Sequence, residues 1–352
     1  MSVHAWLDER IGLADFMSFL RKKEVPDHRH AAWYFLGGMT LFFFMMQVLT
    51  GLLLIVYYQP GSDASYGSVQ RITSQIEFGW LVRSVHSWSA NLMLLSAFLH
   101  MFSVFFMKAY RAPRELTWWS GMGLLGLGMG FGFSGYLLPW DQLAYFATKI
   151  GLDVMEKSPL VGKLLATMLR GGADVGVTTL QRFYALHAAV LPVLFMPLLL
   201  LHLWLVQKHG NATPPSELEK GRKTVPFFPT FFYKDLMVWF LCLNLLALLA
   251  SLWPWDLGPQ ADKLAAAPEG IHPEWYFMSQ FQLLKFIPGK VGPVDGELLG
   301  MGLFGAGGVL WALVPLWDRG SRGRVVNLVG LAAVLGLIVL TIWGYAGVAG
   351  KG

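Results

Sequence analysis

Apolar runs of about twenty residues recur along the whole of this 352-residue chain. Each approaches or exceeds the roughly 20 residues that a helix needs to cross a hydrocarbon core. Seven can be read, at about residues 32–58, 80–107, 116–138, 183–206, 235–254, 297–316 and 325–346. Asn244 interrupts the fifth and a glycine-rich patch interrupts the sixth; no eighth is visible. With 55% hydrophobic and 14% charged residues, an ordinary soluble domain is excluded. The predicted fold is all-α and integral to a membrane, with four spans followed by three.

Basic residues set the orientation. With the N-terminus inside, the inner segments hold Arg10, Arg21, Lys22, Lys23 and Arg29, then Lys108, Arg111 and Arg114. Lys208, Lys220, Arg222 and Lys223 follow, then Arg319, Arg322 and Arg324. This enrichment is what the positive-inside rule requires, so the net charge of +5 reflects topology and calls for no nucleic-acid partner. No cleavable signal peptide is read, because Asp8, Glu9 and Arg10 precede a mildly amphipathic stretch from Leu7 to Leu20. That stretch is expected to lie at the interface. The polar segment Gly210 to Pro229, containing Pro214-Pro215, reads as a linker. It divides a four-span part (1–215) from a three-span part (216–352). The lone Cys242 excludes an internal disulfide and any cysteine-ligated zinc or iron–sulfur site.

Four histidines lie in these runs, His86 and His100 in the second, His187 and His202 in the fourth. Ionisable groups inside a membrane are costly and usually functional. Both runs are even-numbered, so both travel from outside to inside, and His86 stands level with His187 as His100 does with His202. A step of fourteen residues is about 21 Å and returns to within about 40° of the same face; fifteen gives about 22 Å and about 60° in the other sense. The rungs therefore match to within one residue's rise. Each offers two imidazoles and no sulfur or acidic partner, which suits a bis-histidine haem better than zinc. A single such histidine could equally be structural or line a pore; four at matched heights read as ligands, His86 with His187 and His100 with His202.

Glycines carry the same interval. Gly37 and Gly51 are fourteen apart in the first run, and Gly121 and Gly135 are fourteen apart in the third. Without a Cβ they let a backbone approach a flat macrocycle, although small residues also serve ordinary packing between membrane helices. Arg83 and Arg182, near the outer rung, are candidates for haem propionates, with snorkelling to the interface as the alternative.

The chain resembles cytochrome b of the quinol-oxidising cytochrome bc and bf complexes over nearly its full length. The resemblance rests on Arg83-Ser84-Val85-His86 with His100, on Gly135-Tyr136-Leu137-Leu138-Pro139-Trp140-Asp141-Gln142, on Arg182-Phe183-Tyr184 before His187, and on Pro273-Glu274-Trp275-Tyr276. The fourteen residues between His187 and His202, Asp141 after Pro-Trp, and the seven spans resemble the bf type, with its four-helix cytochrome and three-helix subunit IV fused.

That resemblance implies two b-type haems, quinone as substrate, and a proton-translocating quinol oxidoreductase complex. A Rieske iron–sulfur protein, a c-type cytochrome or similar acceptor and a second copy of the complex are the implied partners. The implied location is a bacterial plasma membrane or another energy-transducing membrane, with the N-terminus cytoplasmic. Quinol would be oxidised at an outer pocket containing Pro273, Trp275 and Tyr276, with Glu274 accepting its proton. An apolar, aromatic setting raises a carboxyl toward a useful pKa. Tyr145 is either a lining residue of that pocket or an interfacial anchor.

Two departures stand out. The bf pattern Tyr-Cys-Leu-Gly-Gly, whose cysteine holds a covalent haem, reads Tyr34-Phe35-Leu36-Gly37-Gly38, so no covalent haem is expected through residue 35. Gln207 stands where an arginine is expected. Asp15, Lys208 and His209 are the candidates for binding or protonating an inner quinone, each with an ordinary interfacial role as its alternative. His272 is open in the same way, and His4, His28 and His30 read as surface or interface residues. Two rival functions remain at this level: the di-haem anchor of a dehydrogenase or hydrogenase, and a redox-free transporter.

Overall fold

The computed structural model describes residues 2–218, 221, 223–318, 320 and 323–349. Lys220, Arg222, Arg319 and Arg322 of the inner basic set lie outside the described residues, as does the side chain of His4.

Two short helices lead the chain, α1 (Val3–Ile11) and α2 (Leu13–Lys22). Ser2 caps α1 by accepting from the Ala5 N–H, and Gly12 ends it in the left-handed conformation at φ 62°, where glycine avoids a Cβ clash. Strand β1 (Glu24–Pro26) leads to α3 (Phe35–Ile55), which is apolar on all sides, the signature of a helix surrounded by lipid and protein. Then come α4 (Ser62–Ser74), α5 (Gly79–Phe106) and α6 (Glu115–Tyr136). Helices α7 (Gln142–Lys157), α8 (Gly162–Arg170) and α9 (Val177–Ala185) follow. A π turn over Leu186–Val190 joins α9 to α10 (Leu191–His209). After α11 (Pro215–Leu218), strand β2 (Thr224–Pro226) pairs antiparallel with β1. The chain closes with α12 (Phe232–Leu252), α13 (Trp275–Phe286), the small hairpin β3 (Lys290–Val291) and β4 (Val294–Asp295), α14 (Gly296–Ala312), α15 (Val314–Trp317) and α16 (Gly323–Ala349).

Among the described residues, five helical segments are long and apolar enough to cross a membrane: 31–55, 79–106, 177–209, 227–252 and 323–348. The protein is an all-α integral membrane protein. The two remaining expected spans differ from that set. Helix α6 has 22 residues, about 33 Å of helix, and its glycines dilute its hydropathy. Helix α14 stops at Ala312 with 17 residues instead of running to 316, because Pro315 cannot donate an intrahelical hydrogen bond. Its roughly 26 Å falls short of the usual hydrocarbon thickness.

Leucines and valines cover the outside of these helices, with Leu52, Val193 and Leu328 60% or more exposed, while Ser65, Ser89 and Ser134 are fully buried. That inversion suits lipid, where small and polar side chains serve helix contacts. Helix α3 packs on α5, α6 on α10, and α12 against both α3 and α5; α13 lies against α16. A middle cluster joins Phe42, Phe43, Met93, Leu94, Cys242 and Tyr276. On the face bearing α1 and α2 (hereafter inner), Lys108 and Arg111 share the buried carboxylate of Asp318, which also accepts from the Tyr110 hydroxyl. On the opposite, outer face, the segment after α12 is fastened down. Arg83 donates to the Trp255 and Asp256 carbonyls at 2.5 and 2.9 Å, Trp88 Nε1 to Trp253 O, and Tyr66 to Gly258 O.

Candidate functional site

The His86 and His187 rings face each other with centroids 6.4 Å apart, and His100 lies near enough to His202 for their charges to interact. Pairing in this order requires α5 and α10 to run parallel. Their intervals differ, fourteen residues against fifteen, and the π turn over Leu186–Val190 begins one residue before His187. A π turn holds more residues per turn than an α-helix, so it takes up the extra residue. Pro192 supplies a local reason: its ring opposes an ordinary α-helical bond to the carbonyl of Ala188.

All four predicted glycines sit against these rings. A Cβ at Gly37 would meet His100 Cε1 at 3.2 Å, at Gly51 His86 Cε1 at 3.4 Å, at Gly121 His202 Cε1 at 3.2 Å, and at Gly135 His187 Cε1 at 2.7 Å. Each missing Cβ would thus crowd an imidazole of a neighbouring helix, which places all four glycines beside the rings. Three rings are also held at Nδ1, a feature that reading the histidine and glycine intervals alone overlooks. Thr50 lies 2.8 Å from His86 Nδ1, Ser120 2.9 Å from His202 Nδ1, and Ser134 3.2 Å from His187 Nδ1. The Phe131 carbonyl also approaches His187 Nδ1, at 3.1 Å. Each hydroxyl residue directly precedes one of the glycines. Leu36 precedes Gly37, and His100 Nδ1 is buried without a partner.

Two imidazoles at each level could hold a metal-bearing group. Imidazole nitrogens bind metals at about 2 Å, so one metal fits between rings whose centres are 6.4 Å apart. No cluster of three or more histidine, cysteine or acidic ligands occurs among the described residues. A haem, which brings its own nitrogen donors and needs only two imidazoles, could be held by the His86–His187 pair.

The outer segment Pro273-Glu274-Trp275-Tyr276 opens α13. Trp275 Nε1 donates to Asn91 Oδ1 on α5 at 2.9 Å, and the Tyr276 hydroxyl occupies the space left by Gly132 on α6. Pro273 accepts at its carbonyl from His272 Nδ1, 3.0 Å away, and the His272 ring stands edge-on to Tyr345 of α16 at 5.3 Å. Glu274 is set among Tyr136, Tyr276, Tyr345 and Asp141, all near enough to sense its charge. Burial, and then the Asp141 charge, push its carboxyl up to about 6. Asp141 caps α7 by accepting from Ala144 N at 2.9 Å; burial raises it too, against that hydrogen bond and Arg83.

Other candidates have contacts of their own. Tyr145 is buried against Trp140 and Phe146, with its hydroxyl 3.4 Å from the Val175 carbonyl. Arg182 donates to the Thr167 and Met168 carbonyls, as Arg83 does to Trp255 and Asp256. On the inner side Asp15 is on α2, Lys208 lies over the Trp204 ring at 5.0 Å, and His209 lines a polar cavity of about 570 Å³ with His28, Arg114 and Glu217. Gln207 accepts from Lys23. Phe35 stacks on Phe231 with centroids 4.9 Å apart.

An all-helical membrane protein with two buried histidine pairs defines the class. The family described as Cytochrome b/b6/petB matches residues 20–210, and Cytochrome b(C-terminal)/b6/petD matches 260–351. The chain belongs to the cytochrome b/b6 family. It is 46% identical over 352 residues (98% of this chain, 81% of the relative) to the cytochrome bc complex cytochrome b subunit of Chlorobaculum thiosulfatiphilum. It is 43% identical over 213 residues to cytochrome b6 of Mastigocladus laminosus, covering 60% of this chain and 99% of that one. The fold is similar to a solved hyperthermophilic respiratory Complex III chain, with a TM-score of 0.84 at 26% identity over 97% of this chain and 91% of that one. Family membership implies b-type haem, interaction with quinone, and work as an electron-transfer subunit of a multi-subunit quinol oxidoreductase complex.

Proposed function

We propose that this chain is the quinone-binding subunit, with two bis-histidine haems, of a proton-translocating quinol oxidoreductase. The observation that carries the reading is the pair of histidine rungs, each backed by two glycines, with Pro273-Glu274-Trp275-Tyr276 pinned beside the outer one. His86 with His187 and His100 with His202 would hold the two haem irons. The two haems, when bound, supply one-electron steps between the outer and inner faces.

Glu274 accepts a quinol proton at the outer site, and Pro273, Trp275 and Tyr276 line it; the anchoring of Trp275 and Tyr276 to two different helices supports that placement. One electron would leave to a Rieske protein and on to a c-type cytochrome or similar acceptor, and the other would pass to a haem held by His86 and His187. The remaining guanidinium N–H groups of Arg83 and Arg182 would pair with haem propionates. Tyr145 acts at most indirectly, by supporting the turn that carries Asp141. Asp15, Lys208 and His209 serve the inner quinone, with the cavity at His209 the strongest support among them. The division into a four-span and a three-span part near residue 215, a dimeric complex and a bacterial plasma membrane with a cytoplasmic N-terminus complete the proposal.

Redox titration of the purified complex, combined with quinol-driven b-haem reduction with and without the Rieske protein, tests it. Two b-haem waves and a Rieske-dependent reduction are expected. Rieske-independent reduction would favour a dehydrogenase anchor, and the lack of any b-haem absorbance would favour a transporter. Glu274→Gln should slow quinol oxidation while retaining both haems. A base works only when deprotonated, so the wild-type rate should rise with pH through about 6, and the variant should lose that rise. An unchanged rate and profile would remove Glu274 from the proton path. Haem staining after denaturing electrophoresis should leave no band at this chain's mass, because position 35 holds Phe35 and the single cysteine, Cys242, is buried in the middle cluster. A persistent band would mean another attachment.

A further inference from the structure

The four ligand histidines are not equivalent. Three have a hydroxyl within 3.2 Å of Nδ1, supplied by Thr50, Ser120 and Ser134, each one residue before the glycine that backs the same ring. At the fourth, the sequence is Leu36-Gly37, and His100 Nδ1 has no partner although it is buried. Neighbouring groups do not compensate. The Thr40 hydroxyl one turn on is spent on the Leu36 carbonyl at 2.9 Å and on Ser96 at 3.0 Å. The Ser103 hydroxyl donates to the His100 carbonyl.

A buried polar atom left unsatisfied is unusual enough to need a reason, and a redox role is one of the recognised ones. The second ring nitrogen of a metal-bound histidine normally donates its N–H to an acceptor, which fixes the tautomer and makes the ligand more basic. A ring without that acceptor pushes less electron density onto its metal, and the reduced, less positive state gains relative to the oxidised one. We propose that Leu36, by withholding a hydroxyl from His100, raises the midpoint potential of a haem held by His100 and His202 above that of one held by His86 and His187. This rests on the reading of the four histidines as haem ligands. The asymmetry favours electron flow from the outer pair to the inner pair. The partner rings do not carry the difference: His202 keeps Ser120 and a backbone hydrogen bond with Thr117, as His187 keeps Ser134 and the Phe131 carbonyl.

The test is a redox titration of the intact complex, followed at the b-haem absorbance. Leu36→Thr reproduces at Gly37 the Thr50-Gly51 arrangement. It should lower the midpoint of one haem only, the higher of the two, and draw the two waves together. The mirror variant Thr50→Val removes the hydroxyl from His86 and should raise the lower wave, again with the other unmoved. If Leu36→Thr fails to assemble, Leu36→Ser carries the same test, after the Ser120-Gly121 arrangement at His202. Two bound haems with both midpoints unmoved would overturn the proposal, as would Leu36→Thr shifting the lower wave. Wild-type complex lacking two b-haem waves would instead sink the ligand assignment beneath it.

Discussion

Replacing His100 or His202 with alanine is expected to remove one b haem and leave the other in place. In any complex that still assembles, the haem-to-protein ratio should fall by half and one of two redox waves should vanish. The outer pair is insulated from the change. His86 and His187 lean on Thr50, Ser134, Gly51 and Gly135, fourteen or more residues from the substituted positions along α5 and α10. A remaining single imidazole cannot reproduce two axial bonds, so occupancy should drop sharply at the inner rung. The surviving haem should still be reduced by quinol through the Rieske-dependent route, because Glu274 and its tyrosines belong to the other face. Inner-side quinone reduction should cease. Loss of the outer haem alone from either variant would invert the assignment of faces, and retention of both would remove these residues as ligands.

Much of this arrangement was legible because membrane helices translate sequence interval directly into height and angle. Four histidines at intervals of fourteen and fifteen, with two glycine pairs at fourteen, define two levels before any packing is known. The helix bounds at 79–106 and 323–348 also follow closely from hydropathy. Glycine at 37, 51, 121 and 135 was read as a need for space beside the histidine levels, and which imidazole each one faces could not be read, since a sequence does not say which neighbour approaches. The hydroxyls of Thr50, Ser120 and Ser134 were visible too, each directly before a marked glycine; the recurring hydroxyl-glycine pair was the signal to follow. Less could be read from loops. The grip of Arg83 on Trp255 and Asp256 links residues more than 170 positions apart, and no local periodicity encodes it. The early stop of α14 was written in Pro315, which a hydropathy window averages away.

The π turn beside His187 leads to the sharpest test of the ladder, using two deletions of one residue each. Removing Ala189 takes the extra residue out of the turn itself. The interval from His187 to His202 then equals that from His86 to His100, and an ordinary helix can join the two rungs. Its cost is a proline ring against the backbone one turn earlier, a strain the same span already tolerates at Pro197. Removing Leu199 leaves the π turn intact and shortens the helix beyond it. His202 then swings by about 100° and rises by about 1.5 Å relative to His100, and its Nδ1 leaves Ser120. Both haems should therefore bind the Ala189 deletion, whereas the Leu199 deletion should keep the outer haem and lose the inner one. Haem content and the number of titration waves distinguish the two outcomes. Were the two deletions to behave alike, the π turn would be a local accommodation of Pro192 with no part in setting the height of the inner pair.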